Sequence, residues 1–316
     1  MLTRGQPSRV ARRDITLASV RRVPAEGLLL GTVLLWSFNF TAIRYGITHG
    51  FEPLAYAPLR WGLAGVALAA LAVVRGHSLR VGRRDLLLLS GAAVIGVFGN
   101  QIAFVYAVRL VSASTVALVF GTLPIFVSLV SQASGLERLR LRHWVATGVS
   151  FSGVALVASG ASGGLSASAG GIALALATAS SFAVYSVMVV PVMRRHSPVV
   201  VNAVSALAGA AMLAVASSTV LAHENWGDIG TLGWGALLYS ALISIALGNL
   251  FWFTAIERVG PGRAALFANL QPFLGALFAV LVLSETLSSR QVAGGCVIAV
   301  GIVLGTRTRL AAAPSE

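Results

Sequence analysis

From Gly27 onward, runs of apolar residues alternate with short polar connectors at a period that suits a membrane and nothing else. A helix needs about 20 apolar residues to cross a hydrocarbon core. The alternation predicts ten helices, over 27–47, 53–74, 86–108, 112–134, 143–160, 171–192, 199–221, 232–256, 263–283 and 291–306. The charge-free run from His143 to Met193 is too long for one crossing, and the Gly, Ser and Ala stretch from Gly160 to Gly171 is expected to divide it. Gly260-Pro261-Gly262 is expected to end one helix and turn the chain back into the next.

The pattern contains a repeat. Pro124 and Pro272 are 148 residues apart, as are Glu137 and Glu285, Tyr106-Ala107 and Thr254-Ala255, and Gly153 and Gly301. The chain therefore divides into a tail (1–26), a first unit (27–160), a second unit (171–306) and a short tail (307–316). Each unit holds five predicted helices, an odd number, so the second must enter the membrane from the opposite side. Inverted repeats of this kind are an architecture of secondary transporters, with the substrate held between the units near the bilayer midplane.

Composition agrees: 57% of residues are hydrophobic and 10% charged, against about 25% charged in soluble domains. A net charge of +13 raises nucleic acid as a partner. The basic residues are all arginine, however, and apart from Arg44 and Arg60 within helices and Arg109 and Arg290 in the opposite connectors they lie in the tails and in alternate connectors, at Arg75 to Arg84, Arg138 to Arg142, Arg194-Arg195, Arg258 with Arg263, and Arg307 with Arg309. Basic residues in short loops stay on the cytoplasmic side. This places both termini in the cytoplasm and leaves nothing for nucleic acid to explain. The only cysteine, Cys296, excludes an internal disulfide or multi-cysteine metal site. With no lysine there is no phosphate-binding Gly-Lys loop, and no cofactor is expected.

Candidate chemistry lies on the apolar segments. Pro124 and Pro272, within their helices, are expected to free the carbonyls of Phe120 and Ala268 and so mark a helix break, either a packing kink or a cavity-facing hinge. Asn269 and Gln271 flank the second break, and Gln101 and Asn249 are amides at similar depth in the two units. These amides can bond a polar substrate or a neighbouring helix. Trp36 with Asn39, Phe182 with Tyr185 and Asn249 with Trp252 are each three apart and share a helix face, pairing an aromatic with a polar group. Arg60, two turns into the second helix, must snorkel, pair or face water; an anionic substrate group would suit it, and Glu52 is the alternative partner. Trp144, Trp226 and Trp234 stand near helix ends, where membrane interfaces favour tryptophan. The expected substrate-binding set is Trp36, Asn39, Arg60, Gln101, Tyr185, Asn249, Trp252, Asn269 and Gln271. No nucleophile and base or metal cluster is recognisable, so catalysis is not expected; with no mid-membrane carboxylate or histidine, a facilitator, an exchanger and an unusual proton path all stay open. Gly148-x-x-x-Ser152 and Gly301-x-x-x-Gly305 allow close helix approach, within the chain or in a homodimer through the fifth and tenth helices.

Trp36-Ser37-Phe38-Asn39, Pro53, Arg60, Tyr106-Ala107, Pro124 and Glu137, with Ser181-Phe182-Ala183-Val184-Tyr185, Pro198, Thr254-Ala255, Pro272 and Glu285, together resemble the EamA family of the drug/metabolite transporter superfamily. The resemblance spans about 27 to 306. It departs at Phe182, where tryptophan is usual, and in the second unit's lack of a counterpart to Arg60. It implies ten helices, a central cavity lined by the first four helices of each repeat, the fifth and tenth at the periphery, and export of amino acids or other small metabolites across the inner membrane. Efflux of drugs or purines is an alternative, and a non-transporting sensor or scaffold is the rival from another class.

Overall fold

A computed structural model describes residues 23–134, 141–160, 164–268 and 270–310. Among the described residues all regular structure is helical. The long helices are α1 (Ala25–Thr48), α2 (Pro53–Val74), α3 (Arg83–Leu110), α4 (Ala113–Phe120 and Leu123–Ala133), α5 (Leu141–Ser159), α6 (Gly164–Met188), α7 (Pro198–Ala216), α8 (Thr231–Leu238 continuing to Ala268), α9 (Gln271–Leu283) and α10 (Ser289–Leu310). Seven described helical stretches are long and apolar enough to cross a bilayer, and Gln271–Leu283 is a shorter apolar helix. The chain is a multi-pass membrane protein, since only helices and closed barrels satisfy every backbone group inside lipid.

Local sequence sets several boundaries. Pro53 and Pro198 are the first residues of α2 and α7, where a missing N–H costs nothing. The Ser112 hydroxyl accepts from the Thr115 amide and starts α4. Arg44 donates to the carbonyls of Val108 and Arg109 at the C-terminus of α3, the end that favours a cation.

Elsewhere the structure departs from local propensity. The expected break at Gly260-Pro261-Gly262 is absent: helical structure runs through Asn249–Ala268. The Gly160 to Gly171 divider is shorter than expected, because α6 already begins at Gly164. Propensity is a weak prior that tertiary context overrides.

Both prolines stand at a helix break. Pro124 and Pro272 are each the second residue of a new half-helix. The chain leaves the preceding half through Gly121-Thr122, whose amides bond the carbonyls of Leu118 and Val119 at 3.1 and 3.0 Å. The Leu270 amide similarly bonds Phe267 O at 3.1 Å. Short i to i−3 bonds satisfy these turns, and Ser37 Oγ donates to the carbonyl of Gln271 at 3.3 Å.

Helices pair across the repeats. α2 lies along α7 and α5 along α10, while α1 packs on α8 and α9 and α6 on α3 and α4. The α5/α10 contact is set by glycine: a Cβ on Gly294 would lie 2.7 Å from Gly153 O, and one on Gly301 would lie 2.9 Å from Ala146 O. Gly301 is thus used inside the chain, whereas a Cβ on Gly148 would meet nothing within 4 Å.

Polar ties hold the helix ends. Asp85 accepts from Arg195 at 2.5 and 3.2 Å and meets His196 Nε2 at 2.9 Å, joining α3 to the segment before α7. At α4, the Glu285 carboxylate takes the amides of Ala113 and Ser114 at 2.9 and 3.0 Å and the Ser114 hydroxyl at 2.7 Å. A carboxylate after α9 thereby caps a first-repeat helix. Glu137 and its surroundings lie outside the described residues.

Candidate functional site

The cavity between the repeats is built on an irregularity that both share. α3 is π-helical over Val94–Gly99 and α8 over Tyr239–Gly248. Shifting the first segment by 148 residues places it within the second. π segments widen a helix and recur at functional sites.

Each π segment faces the first helix of the other repeat. Along α8, Trp36 Nε1 donates to Ser244 O at 3.1 Å, Ser240 Oγ to Asn39 Oδ1 at 2.7 Å, and Tyr239 Oη to Leu35 O at 2.9 Å. Along α3, Gly96 lies directly against the Tyr185 ring, with no room for a Cβ, and Asn100 Nδ2 donates to Thr178 O at 2.9 Å and Ser181 Oγ at 3.0 Å. Trp36 and Phe182 are 146 residues apart, as are Thr32 and Thr178, so α1 and α6 present matching faces.

These bonds join into one network. Arg60 Nη1 donates to Ser240 Oγ at 2.7 Å and Nη2 to Gln101 Oε1, while Gln101 Nε2 donates to Asn100 Oδ1 at 2.6 Å. The run from Asn39 through Ser240, Arg60, Gln101 and Asn100 to Thr178 crosses the repeat boundary three times. Such amide and guanidinium groups are tolerated at this depth because each is bonded within the protein.

A cavity opens beside this network. Six of the expected residues line it: Trp36, Asn39, Arg60, Gln101, Asn249 and Gln271. Its remaining wall is largely aromatic, from Phe40, Trp61, Phe104, Phe120 and Phe182, with Asn100, Thr178, Ser244 and Ile245.

Two expected residues lie elsewhere. Tyr185 is 1% exposed and packs edge-on to Phe253 with ring centroids 5.8 Å apart, behind the cavity wall. Trp252 is also behind the wall, with its ring 5.2 Å from Trp36, so it supports the lining tryptophan rather than the cavity. Three-residue spacing put each on the same helix face as its partner, but a face about two residues wide contains both lining and supporting positions. Asn269 lies outside the described residues. Nor is Glu52 the partner of Arg60: it pairs with Arg109 at 3.0 Å, and its amide donates to Glu224 at 3.0 Å.

Ser240, Ser244 and Thr178 carry or border the network although nothing in the sequence singled them out. The equivalence of Thr178 to Thr32 was readable from the 146-residue offset. Ser240 was not, because its role depends on α8 being π-helical at that point.

Comparison with known proteins gives the same architecture. The chain is 29% identical over 293 residues to the uncharacterized inner membrane transporter YedA of Escherichia coli, covering 90% of this chain and 91% of that protein. It is 29% identical over 304 residues to a protein of Salmonella typhimurium named a probable amino-acid metabolite efflux pump, covering 89% and 95%. An uncharacterized transporter of Archaeoglobus fulgidus is 25% identical over 281 residues, covering 88% and 97%. A crystal structure superposes with a TM-score of 0.66 over 92% of this chain and 99% of its own, at 23% identity, a likeness of fold alone. The family model of the EamA-like transporters matches twice, over residues 23–159 and 169–307. Two such units, joined through paired π segments around a shared cavity, make this chain a member of the EamA-like transporter family.

Proposed function

We propose that this protein is a secondary transporter that exports a small metabolite, an amino acid or a related compound, across the cytoplasmic membrane by alternating access of its two inverted repeats. The observation that carries the reading is the polar-and-aromatic cavity at the repeat boundary, walled by α1, α2, α3, α4, α6, α8 and α9 and bordered by hydrogen bonds that cross from one repeat to the other. A site held by both repeats changes its exposure when one rocks against the other. The name of the Salmonella relative supports the amino-acid class. Both termini face the cytoplasm in this reading, following the arginine-rich connectors.

The test is release of labelled amino acids from proteoliposomes containing the purified chain. Release faster than from protein-free vesicles, and slowed by Gln271→Ala, is the expected result. Equal rates with and without protein across all twenty amino acids would rule this function out.

A further inference from the structure

Arg60 is 1% exposed, yet nothing bonded to it is negatively charged. Its terminal nitrogens meet the neutral Ser240 hydroxyl and Gln101 amide oxygen, and its guanidinium carbon lies 5.8 and 5.6 Å from the Tyr56 and Phe104 ring centroids. Its Nε has no partner. Among the described lining residues there is no Asp or Glu, and Glu52 is bound to Arg109. A desolvated cation without a counter-charge is costly and persists where function requires it. A second group on the same wall is also unsatisfied: Gln271 is 3% exposed and its Oε1 has no partner.

We propose that Arg60 recognises a carboxylate, and that the substrate is a monocarboxylate with an apolar, aromatic-compatible body. This rests on the transport reading above and narrows it. Arg60 has unused N–H donors beside the cavity, in the planar geometry that carboxylates match. The surrounding Trp36, Phe40, Phe120 and Phe182 rings offer faces and edges for the body of the molecule. Gln271 Oε1 accepts an N–H from it, which an α-amino group supplies. Cationic drugs would be repelled by Arg60, and a dianionic phosphate would bring one charge more than the described lining can neutralise.

Four probes separate the charges: L-phenylalanine, 3-phenylpropanoate, L-phenylalaninamide and 2-phenylethylamine. Their binding to the full-length chain in lipid nanodiscs is read by thermal shift and tryptophan fluorescence. Both carboxylates are expected to bind at least about tenfold more tightly than the amide and the amine, as one charge-assisted hydrogen bond implies. Arg60→Lys should keep the preference at weaker affinity, and Arg60→Met should level it. A purely structural Arg60 would leave the ratio of carboxylate to amide binding unchanged. Equal binding of the four probes to the native chain overturns the proposal without any variant. Failure of both carboxylates to bind, with labelled amino acids still released from proteoliposomes, also overturns it and leaves transport standing. Failure of binding and release together overturns the transport reading with it.

Discussion

Removing the Ser240 hydroxyl isolates the tie between the repeats. Ser240 is fully buried; its oxygen accepts from Arg60 at 2.7 Å and donates to Asn39 at 2.7 Å. Ser240→Ala keeps Cβ and the helix while deleting both bonds. In soluble proteins each orphaned partner costs about 1–3 kcal/mol. Inside a membrane the neutral bond averages about 0.6 kcal/mol, because the unfolded chain also finds partners there. The bond to charged Arg60 has no comparable substitute and contributes about 1.5 kcal/mol. The expected loss is therefore about 2 kcal/mol, measured by reversible unfolding in mixed detergent and lipid micelles followed by tryptophan fluorescence. Double-mutant cycles apportion it. Coupling of Ser240→Ala with Asn39→Ala should be about 0.6 kcal/mol and with Arg60→Met about 1.5 kcal/mol. If Ser240→Ala unfolds within about 0.3 kcal/mol of the native chain, the network does not hold the repeats together and the reasoning fails.

Two further substitutions test the frame around the site. Gly301→Val places branches against Ala146 O and the Ser150 backbone, each already 2.9 Å from a Cβ, and should cost about 1–3 kcal/mol by overpacking α5 and α10. Gly148→Ala, with nothing within 4 Å, should be neutral in the same thermal melt, and an equal loss in both would show that the glycine contact is not what matters. Glu285→Gln keeps the shape of the α4 cap but removes its charge, and should lower stability by about 1 kcal/mol at pH 7. A variant within about 0.3 kcal/mol of the native chain would mean that the carboxylate charge contributes nothing there.

What the sequence could decide by itself follows from one-dimensional physics. Apolar runs of crossing length are dictated by the thickness of the hydrocarbon core, so the segment pattern was legible before any coordinates. The 148-residue offset made the repeat legible too, and the family model matches once on each copy. Polar residues in such runs are costly wherever they occur, which is why Asn39, Arg60, Gln101, Asn249 and Gln271 could be picked out. Their burial beside one cavity is consistent with that cost.

The rest depended on contacts between segments far apart in the chain. Tyr185 and Trp252 have the residue types of a binding site but stand one layer behind it, and helix periodicity does not separate those layers. Glu52 was a plausible partner for Arg60 by sequence distance, yet helix packing gives it to Arg109. The prolines mark a helix break in the sequence, but only the structure shows its form: each begins a half-helix whose predecessor ends in a tight turn. Ser240, an ordinary membrane serine in the sequence, becomes the junction of the network because a π turn in α8 points it between Asn39 and Arg60. Local sequence sets which groups must be satisfied, and only the tertiary fold chooses which partners satisfy them. Around Arg60 that choice left a buried cation with neutral partners alone, a property of the assembled cavity and of no single segment.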